Sequence, residues 1–391
     1  MKINKAYKFR LYPNKEQEIM FYKTTGCCRF IYNYFLDQSI KRYEKEKKFL
    51  FTYDMTYQLP ELKKQYPFLK EVNSQSLVCA CMNLDNAFKK FIKKQAKFPK
   101  FKKKGIGESF CNPQNNKLDK NKIRIQKVGW VKCKIHREIE GKIKSVTITR
   151  NCDKWYSSIL TEQEIEEKFK TYNNPVGIDL GIKEFAFLSN GENIPNPEYY
   201  RKFEGKLAIA NRRLAKKKIG SKNFIKQKEK VQKIYSKIYN SRKDFLHKKS
   251  KDIVDRYDLI GVENLNINGI IKNKHLSKSI SDSSWGTFVN YLEYKSLWNN
   301  KTIQKVDRFY PSSQLCSECG NRKLMPLSQR TYACEDCGAI IDRDYNASKN
   351  IEKEAIRLAF ENLPSGRRNV KPVEKVGYEI CETGILYRKA T

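Results

Sequence analysis

The sequence lacks the features that mark membrane-embedded and secreted proteins. Its apolar runs stay well short of the roughly 18 residues that a membrane-spanning helix requires, and the N-terminal stretch MKINKAYKFR has no apolar core after its basic start. No basic amphipathic helix or lipid-anchor motif stands out. We therefore expect a cytoplasmic protein without a membrane partner, whose 12 cysteines do not form a disulfide framework.

Histidine is scarce, and internal repeats are absent. The three histidines, His136, His247 and His275, lie in no recognisable catalytic or metal-binding pattern. Serine- or tyrosine-dependent DNA transposition needs a nucleophile set that the sequence does not contain in any recognisable form. The sequence therefore disfavours these classes of enzyme.

Acidic residues are few relative to basic ones. Lys and Arg total 79 against 43 Asp and Glu, a formal net charge of +36, and the excess runs along the whole chain. A compact body of this charge repels itself unless a polyanion neutralises it, and nucleic acid does so with release of counterions. The 23 Tyr and 21 Phe are more than a disordered chain of this charge would carry. We expect a folded protein that binds nucleic acid.

Hydrophobic periodicity alternates between β-type and helical segments, which predicts an α+β multidomain protein. Alternation with a period of two indicates a strand at 5–12 and several strands within 122–161. Helical periodicity occupies 16–45 and resumes at Ser74. The first part of the chain is therefore interpreted as a β unit with a helical insertion.

A second pattern of predicted strands and helices begins at Pro175. The stretch VGIDLGIKEFAFLSNGENI indicates two apolar strands joined by a hairpin turn at SNGEN. Residues 201–257 then predict two basic helices divided at Gly220, with 18 Lys or Arg against three acids in residues 201–250. Two more strands (DLIGVENL and TIQKVDRFY) and a helix (NASKNIEKEAIRLAFENL) that stops at Pro364 complete the pattern.

Four of the cysteines have the spacing of a metal site. Cys316 and Cys319 form one CxxC pair, Cys334 and Cys337 form another, and 14 residues separate the pairs. Two such turns present four thiolates to one ion, the pattern of a zinc ribbon. Four cysteines leave no coordination position for water, so the sequence favours one structural Zn²⁺ over a catalytic or redox site.

Three acids stand where isolated carboxylates are unexpected. Asp179 lies in the apolar strand VGIDLG, Glu263 ends a second apolar strand, and Asp344 begins the helix after the cysteines. Each has an ordinary alternative reading: a salt-bridged core acid, a strand-end acid and a helix N-cap. Together, in this order, they resemble the acids of the RNase H fold, where three carboxylates converge on one sheet edge. Such clusters hold two Mg²⁺ ions for phosphodiester hydrolysis.

Several longer motifs carry a family resemblance. They are GIDLG, GVENLN, CSECG, CEDCG and DRDYNASKNI, with KFRLYPNKEQ, CCRFIYNYFL, FPKFKKKG, SISDSSWGTFVNYLEYK and RFYPSSQLCSECG over most of the chain. By these motifs the sequence resembles TnpB, the transposon-encoded RNA-guided nucleases related to type V CRISPR effectors. The resemblance implies that Asp179, Glu263 and Asp344 are the catalytic, magnesium-binding acids of a RuvC-type nuclease, and that Asp342 supports Asp344.

The resemblance also implies a domain layout. A wedge-like β-barrel is expected at 1–15 and 105–170, a helical recognition insertion at 16–104, an RNase H-like (RuvC) mixed sheet at 171–310 and 341–365, an inserted zinc ribbon at 311–340, and a flexible tail at 366–391. On this layout the zinc ribbon ends where the helix bearing Asp344 begins. The metal then helps to place that acid.

The resemblance implies two partners, a guide RNA from the transposon end and a double-stranded DNA target with a short flanking motif. It also implies that the protein is monomeric with its RNA. Candidate nucleic-acid contacts are Tyr53, Gln75, Ser76, Lys100 and Lys102. For any single residue of this set, an ordinary role as a helix cap, core aromatic or solvated charge is the competing interpretation.

Three other functions compete with the nuclease. A nuclease-silent, RNA-guided repressor would have lost acids that this sequence keeps. A transposase of the RNase H fold usually orders its acids Asp, Asp, Glu, whereas the order here is Asp, Glu, Asp. A non-enzymatic zinc-ribbon RNA binder would leave the acids in apolar strands unexplained.

Overall fold

The computed structural model describes residues 1–166, 172–270, 277–326 and 328–361, together with two short strands near the C-terminus. The chain divides into two units, Met1–Glu166 and Glu167–Thr391. Among the described residues, no helix has both the length and the apolar character needed to cross a membrane. Apart from the two short strands, the tail expected at 366–391 lies outside the described residues.

The first unit combines one sheet with three α-helices. Its elements are β1 (Lys2–Tyr12), α1 (Lys15–Glu46), α2 (Thr52–Gln65), a 3₁₀ turn (Pro67–Lys70), α3 (Ser74–Ile92), β2 (Ser109–Asn112), β3 (Lys117–Asp119), β4 (Lys122–Ile125), β5 (Gly129–Lys134), β6 (Lys142–Asn151) and β7 (Lys154–Glu164). The strands run in the order β2-β6-β7-β1-β5-β4-β3. The edge strands β2 and β3 do not pair with each other, so these hydrogen bonds do not close the expected barrel.

Local sequence explains how the first unit begins. Side chains of β1 alternate between buried and exposed positions, as a strand with one face on a core requires. A capping box then starts α1: the Asn14 side chain accepts from the Gln17 N–H at 2.8 Å, and the Gln17 side chain accepts from the Asn14 N–H at 3.1 Å. The strands and helices share one core, with Phe9, Phe35 and Phe88 fully buried in it.

The sequence interpretation missed one helix. Helix α2 lies between the two predicted helical segments and contains Pro60 in its interior. Three buried side chains, Met55, Leu59 and Leu62, attach it to the core. This burial outweighs the cost of an internal proline, which removes a backbone hydrogen bond.

The second unit is built on a five-stranded mixed sheet. Its elements are β8 (Pro175–Leu180), β9 (Glu184–Leu188), β10 (Asn193–Pro195), α4 (Tyr199–Ala215), α5 (Lys222–Arg256), β11 (Leu259–Glu263), α6 (Ile267–Ile270), α7 (Ser277–Ser283), α8 (Trp285–Trp298), β12 (Thr302–Val306), β13 (Thr331–Ala333), β14 (Ile340–Asp342), α9 (Arg343–Glu361), β15 (Tyr378–Ile380) and β16 (Leu386–Arg388). The sheet order is β10-β9-β8-β11-β12.

The five strands combine two kinds of pairing. Strands β8, β9 and β10 form an antiparallel meander, and β11 and β12 add in parallel on the other side of β8. The turn SNGEN joins β9 to β10, and residues 181–183 join β8 to β9. The hairpin turn predicted at SNGEN is confirmed, since β9 and β10 pair in antiparallel fashion across it. The stretch before this turn contains two strands, β8 and β9, because a shorter turn beginning at Gly181 connects them.

Two glycines on neighbouring strands let α9 lie directly on the sheet. Gly177 of β8 and Gly261 of β11 are register partners. A Cβ atom at Gly177 would fall inside van der Waals contact with the Ser348 carbonyl oxygen of α9, and one at Gly261 would lie 2.6 Å from the Ala355 Cβ atom. The backbone of α9 therefore approaches the strands more closely than any residue with a Cβ atom would permit at positions 177 and 261.

Helices α5 and α8 cover the opposite face of the sheet. Val176 and Ile178 of β8 belong to a buried cluster with Leu246 of α5 and Phe288 of α8. Because successive side chains of a strand point to opposite faces, residues 177 and 179 of β8 share the face that α9 covers. The same alternation places Glu263 on the same face as Gly261.

The glycine contact predicts a large effect of one added methyl group. We expect Gly177→Ala to lower the free energy of unfolding of the second unit by about 3 kcal/mol, the upper part of the range for overpacking. For a unit of this size, that loss lowers Tm by about 6–12 °C. Calorimetry of the full-length protein measures the change.

Gly205→Ala is the matched control. Gly205 lies inside α4 with open space around its Cα atom, so alanine should stabilise the helix by about 0.5–1 kcal/mol. Equal effects of the two substitutions on Tm would contradict the close approach of α9 to the sheet.

Candidate functional site

The structure brings the three predicted acids to one edge of the mixed sheet. Ile178 pairs in register with Val262, so the next residues, Asp179 and Glu263, are neighbours on adjacent parallel strands. Asp344 lies in the first turn of α9, one turn before the residues that contact Gly177. The acids at 179 and 263 face the side of the sheet that α9 covers, so they approach Asp344.

Burial raises the pKa of two of these acids, and the charges of the other carboxylates add to the effect at Asp179. Removal from water, followed by the charges of Glu263 and Asp344, raises the pKa of Asp179 well above its ordinary value. Burial also raises the pKa of Glu263, against a hydrogen bond that lowers it. Crowded carboxylates of this kind favour either a bound proton or a bound cation. Asp179 therefore interacts electrostatically with both Glu263 and Asp344.

Two arginines neutralise the third acid. The Arg343 guanidinium donates to the Asp344 carboxylate at 3.0 Å, and Arg330 contributes a second ion pair at 3.5 Å. The arginines thus attract the Asp344 carboxylate, whereas the charge of Asp179 repels it. Among the described residues, a tight set of potential metal ligands is found at the four cysteines and not at these three acids.

Asp342 has a different role from Asp344. Its Oδ1 atom accepts from the backbone N–H groups of Asp344 at 2.9 Å and Tyr345 at 3.1 Å. These are N–H groups of the first turn of α9 that have no partner within the helix. The N-cap that the sequence allowed at Asp344 therefore belongs to Asp342, and the Asp344 side chain is not used for capping.

The four predicted cysteines converge within the second unit. The Sγ atoms of Cys316 and Cys337 lie 3.7 Å apart, those of Cys319 and Cys334 lie 3.5 Å apart, and all four fall within 4.8 Å of one another. Four sulfurs at about 2.3 Å from a tetrahedral Zn²⁺ would be separated by about 3.8 Å. A disulfide would need about 2.05 Å. The arrangement fits zinc and does not fit a disulfide.

Backbone groups prepare the cysteine site for a cation. Hydrogen bonds from the backbone of Cys337 and Asp336 lower the pKa of Cys334 to about 6. A thiolate is the form that binds metal. Gly320 and Gly338, which follow the two CxxC pairs, have φ values of 81° and 72°, a conformation that glycine adopts at little cost.

The predicted nucleic-acid contacts lie in different environments of the first unit. Tyr53 of α2 is 80% exposed, and Lys100 is exposed. The Gln75 backbone N–H donates to Asn73, the N-cap of α3. Ser76 is buried and donates to the Cys111 carbonyl at 2.7 Å, which makes it unavailable to nucleic acid without local rearrangement.

Lys102 is exposed but also contacts other residues of the first unit. Its ammonium lies 4.0 Å from the centre of the Tyr32 ring, and partial desolvation lowers the pKa of this lysine. The Lys102 backbone exchanges two hydrogen bonds with the Asn33 side chain, at 2.8 and 2.9 Å. The segment around Lys102 is therefore fixed against α1, which explains part of its sequence pattern without nucleic acid.

Several site residues escaped the sequence analysis. Ser312 donates to Glu263 at 2.6 Å, and Asn346 and Asn350 bind backbone carbonyls of the segment that leads to Cys316. They lie in the motifs RFYPSSQLCSECG and DRDYNASKNI, in which the sequence assigned roles only to the cysteines and the acids. Polar residues at buried positions of α9 were the available signal, because a helix with an apolar core face would not otherwise bury asparagine.

Comparison with known proteins places the chain in a family. A profile described as "Probable transposase" (OrfB_IS605) matches residues 158–274, and one described as "Cas12f1-like, TNB domain" matches residues 285–351. InsQ of Escherichia coli (strain K12), which is named as an RNA-guided DNA endonuclease, is 33% identical over 94% of this chain and 96% of its own length. A TnpB-like protein of Acanthamoeba polyphaga mimivirus, L79, is 25% identical over 47% of this chain and 38% of its own.

This chain belongs to the TnpB family. A second relative of similar extent, from Streptomyces pristinaespiralis, is also named as an RNA-guided DNA endonuclease and is 32% identical over 94% of this chain and 96% of its own length. A cryo-EM structure of a Cas12f1–sgRNA–target DNA complex aligns with 90% of this chain and 99% of that chain at a TM-score of 0.36 and 16% identity. That likeness is too weak to identify a shared fold.

A third profile, described as "Helix-turn-helix domain", matches residues 1–48 of this TnpB-family chain. The structure places one strand, β1, and one continuous 32-residue helix, α1, in that range. Residues 1–48 by themselves therefore contain no pair of helices joined by a turn.

The raised pKa of Asp179 predicts a dependence of stability on pH. Because its folded-state pKa is raised, the unfolded chain loses this proton at lower pH than the folded chain. The metal-free fold therefore loses stability as pH rises above the ordinary aspartate value of about 3.9. We expect Asp179→Asn to raise the Tm of the metal-free protein by about 2 °C or more at pH 8, and to change it little near pH 4.

Asp258→Asn is the control for this measurement. Asp258 accepts backbone N–H groups of Asn173 and Asn174 at 2.8 and 3.0 Å, so its replacement should not raise Tm at any pH. A lower Tm for Asp179→Asn at pH 8 would contradict the electrostatic crowding of the three acids.

The capping role of Asp342 predicts that asparagine, but not alanine, can take its place as the N-cap of α9. Asn caps helices as well as Asp does, and loss of a cap costs about 1 kcal/mol. We expect Asp342→Ala to lower Tm by about 2–4 °C, and Asp342→Asn to preserve both Tm and any divalent-metal affinity. A metal affinity that falls in Asp342→Asn as far as in Asp344→Asn would show that Asp342 is itself a ligand.

Proposed function

We propose that this TnpB-family protein is an RNA-guided, Mg²⁺-dependent endonuclease that binds a noncoding guide RNA from its transposon and cleaves double-stranded DNA beside a short flanking motif. The observation that supports this most directly is the interacting cluster of Asp179, Glu263 and Asp344 at one sheet edge. The names of two relatives that span nearly the whole chain support the same activity.

The donor atoms of the acid cluster suit Mg²⁺. Carboxylate oxygens are hard ligands that prefer Mg²⁺. Burial, followed by the charges of Glu263 and Asp344, raises the pKa of Asp179, and a bound cation would relieve this repulsion. When bound at such a cluster, two Mg²⁺ ions activate water and stabilise the leaving oxygen of a phosphodiester. Asp179, Glu263 and Asp344 are the residues proposed to hold them.

Other residues of the chain orient these acids. Pairing of β8 with β9 and β11 fixes the backbone at Asp179, and the Ser312 hydroxyl fixes one oxygen of Glu263. Asp342 holds the first turn of α9 and so determines where Asp344 lies. Arg343 and Arg330 offset the charge of Asp344. A cluster held in this way approaches the preorganised geometry that phosphodiester hydrolysis requires.

The domain layout is proposed from the same features. The mixed sheet β10-β9-β8-β11-β12 with α9 on one face supports an RNase H-like, RuvC-type nuclease at 171–310 and 341–365. The cysteine cluster supports a zinc ribbon at 311–340 with one structural Zn²⁺. The sheet and helices of the first unit correspond to the wedge-like part (1–15 and 105–170) and the recognition insertion (16–104).

Nucleic-acid binding is the proposed reason for the charge of the chain. The formal net charge is +36, and α4 and α5 carry many exposed lysines and arginines. Tyr53, Lys100 and Lys102 remain candidate contacts because they are exposed. Guide RNA would supply the sequence specificity through base pairing, while the protein would contact backbone and flanking motif.

The first experiment tests cleavage and binding together. The protein is purified with its co-expressed RNA, the RNA is sequenced, and a library of targets with randomised flanks is incubated with the complex and Mg²⁺. We expect Asp179→Ala, Glu263→Ala and Asp344→Ala each to lower the cleavage rate by at least about 100-fold, because each removes a proposed metal ligand, while RNA retention is unchanged. Asp258→Asn is the control.

Two results would argue against the proposal. Normal cleavage by Asp179→Ala would show that the assigned site is wrong. A wild-type complex that binds a matched target without cutting it would favour the alternative, a nuclease-silent RNA-guided repressor. The intact acids count against that alternative.

A further inference from the structure

A short segment connects the acid cluster to the cysteine cluster. We call residues 312–317 the strap; it begins with Ser312 and contains the first zinc-site cysteine, Cys316. At one end the Ser312 hydroxyl donates to Glu263 Oε1 at 2.6 Å. At the other end the Cys316 Sγ atom lies 3.7 Å from that of Cys337. The strap therefore spans the distance between the two candidate metal sites.

Helix α9 holds the middle of the strap through two buried asparagines. The Asn350 amide donates to the carbonyls of Ser312 at 2.8 Å and Leu315 at 2.7 Å. The Asn346 side chain donates to the Leu315 carbonyl at 2.6 Å and accepts from the Ser317 N–H at 2.8 Å. Both side chains are almost fully buried. Buried amides with satisfied hydrogen bonds fix the geometry of the segment that they contact.

Ser312 is buried, and both its backbone N–H and its backbone carbonyl make hydrogen bonds. Only 6% of its surface is exposed, and its backbone N–H donates to the Tyr310 carbonyl at 2.8 Å. Its carbonyl accepts from Asn350. The backbone that carries the Ser312 side chain is therefore fixed, and the hydroxyl group is directed by its own acceptor, Glu263 Oε1.

The hydrogen bond leaves one Glu263 oxygen for another partner. Ser312 binds Oε1, and among the described residues no group donates to Oε2. An ionised carboxylate only accepts hydrogen bonds, so the hydroxyl stabilises the charged form and restricts rotation of the carboxyl group. Partners of this kind raise the affinity of a ligand for its metal by about 10–100-fold in known metal sites.

We propose that Ser312 is a positioning residue that orients Glu263 for a divalent cation, and that the strap, anchored by Asn350 and by the cysteine site, holds Ser312 in place. This inference rests on the proposed function, because it assumes a cation at the acid cluster. It assigns a positioning role to a residue other than the three acids. It also implies that an ordered zinc ribbon helps to maintain the geometry of the proposed nuclease site.

The test measures divalent-metal affinity and not cleavage. Full-length, zinc-loaded protein without RNA is titrated with Mn²⁺, and free Mn²⁺ is followed by electron paramagnetic resonance. We expect Ser312→Ala to weaken Mn²⁺ binding by at least about 10-fold, with one zinc per chain retained. Ser312→Thr keeps the hydroxyl group and should recover most of the affinity.

Ser313→Ala is the matched control, since this neighbouring serine is partly exposed and makes no hydrogen bond with its side chain among the described residues. Its Mn²⁺ affinity should equal that of the wild type. If Ser312→Ala loses zinc, Ser312→Cys supplies the same measurement, because it keeps the side-chain size and donates only weakly.

The outcomes separate this inference from the proposed function. Wild-type affinity in Ser312→Ala, or equal losses in Ser312→Ala and Ser313→Ala, would overturn the role of Ser312. Asp179→Asn is measured alongside: if it leaves Mn²⁺ binding unchanged, the cation does not bind at the acid cluster, and both proposals fail. A loss in Asp179→Asn without a loss in Ser312→Ala would overturn only the inference about Ser312.

Discussion

The contact between α9 and two facing glycines determines the arrangement of the second unit. Gly177 and Gly261 are register partners, and each lies two residues before an acid on the same face of its strand. A side chain at either glycine would push the helix away from the sheet. Without that close approach, the acid in the first turn of α9 would not reach the acids of β8 and β11. The patterns GID and GVE thus combine a packing requirement with a candidate ligand.

The same helix connects the acids to the cysteine site. Asp342 ends the short hairpin of β13 and β14 and caps α9, and Arg343 donates its backbone N–H to the Arg330 carbonyl at 2.7 Å. The asparagines at 346 and 350 contact the chain that enters the cysteine site. Both the entry to and the exit from this site are therefore attached to one end of α9. This arrangement gives a physical reason for the adjacency of CEDCG and DRDYN in the sequence.

The sequence identified the candidate metal ligands better than it identified the residues that hold those ligands in place. The spacing of the CxxC pairs and the acids in apolar strands are local signals, so Cys316 and Asp179 could be named without coordinates. The contact of Ser312 with Glu263 joins residues 49 positions apart, and no periodicity encodes such a pairing. Helix α2 was missed because Pro60 normally ends a helix, and the burial of Ser76 could not be read from its position near a helix start. Tertiary packing decides these cases.

The account depends on the convergence of three acids on shared cations. An experimental structure of the protein soaked with Mn²⁺ tests this most directly, because anomalous scattering locates the ion independently of the protein atoms. We predict anomalous density within about 2.0–2.2 Å of carboxylate oxygens from Asp179, Glu263 and Asp344, with the Ser312 hydroxyl still bound to Glu263. Ions found elsewhere, or acids that point to separate surfaces, would contradict the account.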